Sequence, residues 1–106
     1  MQKTVLNEVF DTLRAYRLVD SESEFSTDWL GRSECYMRSL RFKNTEPSVG
    51  SVAICASKLQ HYGQRMVDID AHKALGERFI ELSSLCHKLI NSQSEARWLN
   101  QLRTTD

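Results

Sequence analysis

Apolar residues recur along this chain at three- and four-residue intervals, while the strict alternation that marks a strand is almost absent, so the pattern predicts helices. Leu6, Val9, Phe10, Leu13 and Tyr16 share one face, with Asn7, Glu8, Asp11 and Arg14 opposite, which predicts a first helix from about Thr4 to Leu18. Ser21 and Glu24 have the S-x-x-E spacing in which a hydroxyl and a carboxylate satisfy free N–H groups at a helix start. A short second helix begins there and turns Phe25, Trp29 and Leu30 inward. Gly31 follows at once, where a tight corner needs a backbone angle that glycine adopts without a steric penalty.

Beyond the corner, Ser33 is placed to cap a third helix reaching about Phe42, with Met37 and Leu40 inward and Arg38 and Arg41 on an outer face. Asn44, Thr45, Glu46 and Pro47 form a loop, and Ser48 is an N-cap for a fourth helix whose stripe is Val49, Val52, Ala56, Leu59 and Met66. Gly63 weakens that helix, which is expected to end near Tyr62 or to bend there. From Ala71 to Ile90 the spacing of Leu75, Phe79, Leu82, Cys86 and Leu89 alternates between four and three, the seam a helix offers to a partner helix. That seam suits this chain's own first helix as well as a second copy. Ser92 and Glu95 repeat the capping pattern, so Ala96, Leu99 and Leu102, with Trp98 beside them, form a last short helix unless one helix runs through. The expected fold is all-α, a compact bundle of five or six helices in one domain spanning 1–106. Residues 21–62 form its helix-turn-helix core, and residues 70–103 a region for packing or dimerisation.

Composition narrows the class. With 106 residues, 41% apolar and 26% charged, the chain has the balance of a globular protein and room for one core. Its formal net charge is zero, so no globally basic surface marks it as a nucleic-acid binder and charge must be judged locally. Asp20, Glu22, Glu24 and Asp28 form an acidic strip, expected to face solvent or a protein; from Gly31 to Asn44 the sign reverses, with Arg32, Arg38, Arg41 and Lys43 against Glu34 alone. Cys35, Cys55 and Cys86 are odd in number and far apart, which fits free thiols better than disulfides or a zinc site. Met1, Gln2 and Lys3 lead into a mixed segment with no apolar run of leader or bilayer-spanning length, so a cytoplasmic chain that engages no membrane is expected.

The chemistry of catalysis finds no foothold. His61, His72 and His87 lack a partner at ligand spacing, and no nucleophile elbow, phosphate loop or dinucleotide fingerprint occurs, so no enzyme, metal, cofactor or small-molecule substrate is expected. Trp29 and Tyr36 fit core or boundary positions better than base-stacking platforms.

The stretch that carries information runs from Phe25 to Arg41: a short helix, a glycine corner, then a second helix with inward positions at Met37 and Leu40. From about Ser21 to Leu59 it resembles the lambda-repressor-like helix-turn-helix superfamily, in which Leu30-Gly31, Met37 and Leu40 fall at the packing offsets and Pro47-Ser48 precede an apolar helix. Thr27 stands where that family prefers alanine and Arg32 where it prefers an apolar residue. The resemblance implies a homodimer on double-stranded DNA, with Ser33, Glu34, Cys35, Arg38 and Ser39 at base-reading positions. Arg32, Arg41, Lys43 and Ser48 then fall on phosphate, and Leu75, Phe79, Leu82, Cys86 and Leu89 form the dimer seam. The competing expectation is a helical protein-interaction module, an adaptor or inhibitor, that never touches nucleic acid.

Overall fold

The computed structural model describes residues 4–104, with side chains through Leu102; Met1, Gln2 and Lys3, read above for a leader, lie outside the described residues. Among the described residues five α-helices and one 3-10 turn follow in order: α1 (Val5–Ala15), α2 (Glu22–Asp28), α3 (Tyr36–Lys43), α4 (Val49–Met66), the turn Asp70–His72, and α5 (Lys73–Thr104). No strand occurs among the described residues, and the all-α bundle is the fold.

α1 starts at Thr4, whose hydroxyl accepts the Asn7 N–H at 3.3 Å while Asn7 Oδ1 accepts the Thr4 N–H at 3.1 Å. It buries Leu6, Val9, Phe10 and Leu13. Tyr16, assigned to that stripe from the sequence, is exposed instead, because the helix stops at Ala15. There the chain turns through Arg17 at φ 59°, and the Arg17 and Leu18 N–H groups return to the Arg14 and Leu13 carbonyls at 3.0 and 2.8 Å. This left-handed cap satisfies carbonyls that a continuing helix would have used.

α2 is capped by Ser21, whose hydroxyl accepts the Glu24 N–H at 3.2 Å; the Glu24 carboxylate takes the Asp20 N–H at 3.3 Å. The helix buries Phe25 and Ser26, and the corner after it buries Trp29 and Leu30 before turning at Gly31, φ 64°. Thr27 is exposed and returns its hydroxyl to the Ser23 and Glu24 carbonyls.

α3 begins at Tyr36, three positions after the Ser33 cap that the sequence suggests. Cys35 occupies its N-cap, but its side chain caps no backbone N–H; the buried Ser26 hydroxyl, from α2, accepts the Met37 N–H at 3.3 Å instead. The cap is thus supplied across the corner, which fixes α3 to α2 as well as starting it. Asn44, left-handed at φ 50°, ends the helix.

α4 continues past Gly63 to Met66, contrary to the break expected there. A β-carbon at Gly63 would lie 2.9 Å from Ile80 Cγ1 and 3.0 Å from the Gly76 carbonyl, so the missing side chain makes room for α5. α5 packs antiparallel along α4, with the buried Ser83 hydroxyl donating to the Ala56 carbonyl at 2.8 Å. It also runs through Ser92 and Glu95 as one helix, so the last short helix suggested by that pair does not form. A helix of this length spans about 48 Å. Its final turns carry Trp98, Leu99 and Leu102 exposed, as an arm beyond the core.

The stripe offered as a dimer seam is the inner face of α5. Phe79, Leu82 and Cys86 are buried, and Leu75 and Leu89 are half-buried against the same core, which α1 and α4 complete. These side chains are therefore consumed within one chain, chiefly against α4, and are not free for a second copy. Each fully buried Phe or Leu stabilises the fold by about 1.5–3 kcal/mol.

Candidate nucleic-acid interface

The core of the bundle leaves one side of α3 to solvent. Met37 is buried and Leu40 half-buried beneath it, while Arg38, Arg41, Phe42 and Lys43 are exposed and Ser39 is half-exposed. Ser33, Glu34 and Cys35 are also exposed, but they lie in the turn that leads into α3, not on the helix. The five positions expected to read bases thus converge on the amino-terminal end of α3, three from the turn and two from the helix.

Arg38 Nη2 donates to Cys35 Sγ at 3.3 Å, one turn back along the same face. Among the described residues neither Arg38 nor Arg32 is ion-paired with a carboxylate. Arg41 differs: its guanidinium is bonded to Glu22 of α2, so one member of the acidic strip folds back onto the basic helix rather than facing away. That bond and the charge of Glu22 hold the Arg41 pKa above its ordinary value.

A second cluster joins α3 to the start of α4. The Tyr36 hydroxyl accepts the Ser48 N–H at 2.8 Å and lies 3.1 Å from Ser51 Oγ. Ser48 Oγ caps α4 by accepting the Ser51 N–H at 3.3 Å, and it also accepts from Arg32 Nη2 at 2.7 Å. Arg32 stacks over the Tyr36 ring, 5.5 Å from its centroid. Burial alone would raise the Tyr36 pKa, but the bonds to Ser48 and Ser51 and the nearby Arg32 charge outweigh it and bring the phenol below its usual value. Arg32 and the first turn of α4 therefore present a fixed positive edge beside the open face of α3.

The sequence missed three contributors. Ser26 sets the position of α3 from inside the core, and the apolar pattern gave no sign of it because a serine there reads as surface. Tyr36 organises the edge through its hydroxyl. Phe42, 91% exposed, stands on the outward face itself; its spacing of four from Arg38 and seven from Cys35 was the available signal.

Elsewhere the surface offers little chemistry. His61, His72 and His87 are exposed, and no group of three or more metal-ligating side chains is assembled among the described residues. Cys35 is an exposed thiol, whereas Cys55 and Cys86 are buried next to one another between α4 and α5. Hydrogen bonding to Cys86, reinforced by burial, drives the Cys55 pKa upward, so that thiol stays protonated. No helix among the described residues is long and apolar enough to cross a membrane. Where the α5 arm passes the α3–α4 loop, Gln93 Nε2 donates to Glu46 Oε2 at 3.1 Å and to the Pro47 carbonyl at 3.0 Å, and an open cleft of about 490 Å³ lies beside Trp98.

No curated protein and no solved structure matches the chain. A family model does match, over residues 6–99, a span that takes in α1 through most of α5 and the whole of the face just described. The chain belongs to that family, described as a family of unknown function (DUF6626).

Proposed function

We propose that this chain is a helix-turn-helix DNA-binding regulator that acts in the cytoplasm by inserting α3 into the major groove of duplex DNA. The observation that carries the reading is the open face of α3. Arg38 stands exposed there without a carboxylate partner among the described residues, while the opposite face is locked to α2 through Met37 and Ser26. A rigid helix with a guanidinium not tied to a carboxylate is what bidentate recognition of a guanine edge requires, worth about 1–3 kcal/mol of discrimination. Ser33, Glu34, Cys35 and Ser39 are the accompanying base-reading positions, and Glu34 is suited to accept from a cytosine amino group. Arg32, Lys43 and the Ser48 end of α4 flank this face as phosphate contacts that set register without reading sequence. Arg41 joins them only as far as Glu22 releases it. A homodimer remains part of the proposal, with the contact on the α5 arm at Trp98, Leu99 and Leu102, since the inner stripe of α5 is occupied.

The test is titration of random-sequence and selected duplexes at several salt concentrations. Binding should weaken steeply with salt, and Arg38→Ala should abolish preference for the selected sequence while helicity and mass in solution stay unchanged. Absence of duplex binding even at low salt would overturn the reading. The exposed apolar arm favours a second reading, a protein-interaction module, which that outcome would leave standing.

A further inference from the structure

Phe42 is 91% exposed, so its ring contributes nothing to the core of its own chain. An α-helix turns about 100° per residue, which puts Phe42 about 40° from Arg38 on one side and about 60° from Ser39 on the other around the axis. The ring therefore sits at the middle of the outward stripe, on the side of α3 opposite the buried Met37. α3 is eight residues long, about 12 Å, comparable with the width of a major groove, so the helix as a whole is short enough to be accommodated there. The 5-methyl group of thymine is the apolar feature that base edges present in that groove.

We infer that Phe42 is a specificity-determining residue that packs its ring against a thymine methyl group, next to the base read by Arg38. The inference rests on the duplex-binding reading above and extends it by assigning the base class at the carboxy-terminal end of α3. An apolar protein surface could also cover the ring, but it would be blind to a methyl group on DNA.

The experiment uses the full chain and a duplex selected from a random pool by the wild-type protein. Each thymidine of the selected site is replaced in turn by deoxyuridine, which removes the methyl and keeps the pairing, and wild type and Phe42→Ala are titrated by fluorescence anisotropy. One replacement should weaken wild type about fourfold, the loss of one buried carbon. Phe42→Ala should bind the parent duplex about fourfold more weakly, ignore that same replacement, and keep the salt dependence of wild type, because no phosphate contact is lost. Since the ring is bare, the variant should melt as wild type does. If every replacement affects both proteins alike, or if Phe42→Ala binds the parent duplex as tightly as wild type, the assignment of Phe42 fails while duplex binding stands. A change in the mass of Phe42→Ala in solution would assign the ring to a protein contact and overturn the inference. A pool that yields no bound duplex removes the duplex reading and this inference together.

Discussion

Gly63 and Gly76 face each other where α4 and α5 cross, close enough that a β-carbon on Gly76 would lie 2.9 Å from the Gly63 carbonyl and 2.8 Å from the Val67 nitrogen. Those two neighbours are backbone atoms and the third, Met66 Cβ at 2.9 Å, is fixed to its own backbone, so none can turn aside as the end of a long side chain can. Gly76→Ala should therefore destabilise the protein by about 1–2 kcal/mol, the overpacking outweighing the helix-propensity gain of about 1 kcal/mol. Gly63→Ala should lose less, because its nearest neighbour is the partly exposed Ile80 side chain at 2.9 Å. Urea midpoints with unchanged slopes measure both; equal stability of Gly76→Ala and wild type would show that the helices separate freely here.

A buried hydroxyl from α2 caps the start of α3. Ser26 accepts the Met37 N–H at 3.3 Å, and among the described residues no other side chain caps that end of α3. Ser26→Ala leaves a buried donor unsatisfied and should destabilise by about 1–3 kcal/mol. The corresponding local signature is faster hydrogen exchange at the Met37 amide than at amides of α4. Exchange unchanged at Met37 would mean that another acceptor or water replaces the hydroxyl.

These two sites also show what the sequence could not reveal. The stripes of α1, α2 and α4 were legible in their middle turns because burial repeats every turn, although Tyr16 and Val49, expected in the stripes of α1 and α4, are exposed; the corner at Gly31 was legible because a left-handed residue there selects glycine. The start of α3 was not, since its cap comes from Ser26, eleven residues earlier, and local spacing favoured Ser33. Gly63 looked like a break because its role is to admit a second helix, a relationship absent from its own neighbourhood in sequence. Ser92 and Glu95 matched a capping pattern inside a helix that continues, for such a pair acts only where the preceding backbone has left the helix. The α5 stripe announced a partner helix but not whose, and α4 proved to be that partner. On the candidate face, polar residues were found and Phe42 was passed over as a helix end.

Thiol chemistry separates the three cysteines by position. Cys35 is exposed on the proposed reading face, whereas Cys55 and Cys86 are buried and face each other. A maleimide reagent should label one thiol per chain under native conditions and three after denaturation. Saturating duplex should slow labelling of Cys35 at least severalfold, as the groove covers it. Labelling at an unchanged rate on a bound duplex would place the contact elsewhere on the surface.

Glu22 reaches across from α2 to hold Arg41, with the two side chains 28% and 40% exposed. A surface pair of this kind adds at most about 1 kcal/mol to stability, so Glu22→Gln should fold nearly as well as wild type. Its effect belongs to binding instead. The substitution removes a negative charge from the edge of the basic face and frees Arg41 to meet phosphate. Glu22→Gln should therefore bind random-sequence duplex several-fold more tightly at low salt, and the slope of log affinity against log salt should steepen by about 0.9, the value for one further phosphate contact. Adding Arg41→Ala to Glu22→Gln should return the slope to that of wild type, because the new contact is Arg41 itself. If the slope does not move in either variant, Arg41 faces away from the phosphates, and the Glu22 contact serves only to fasten α3 to α2.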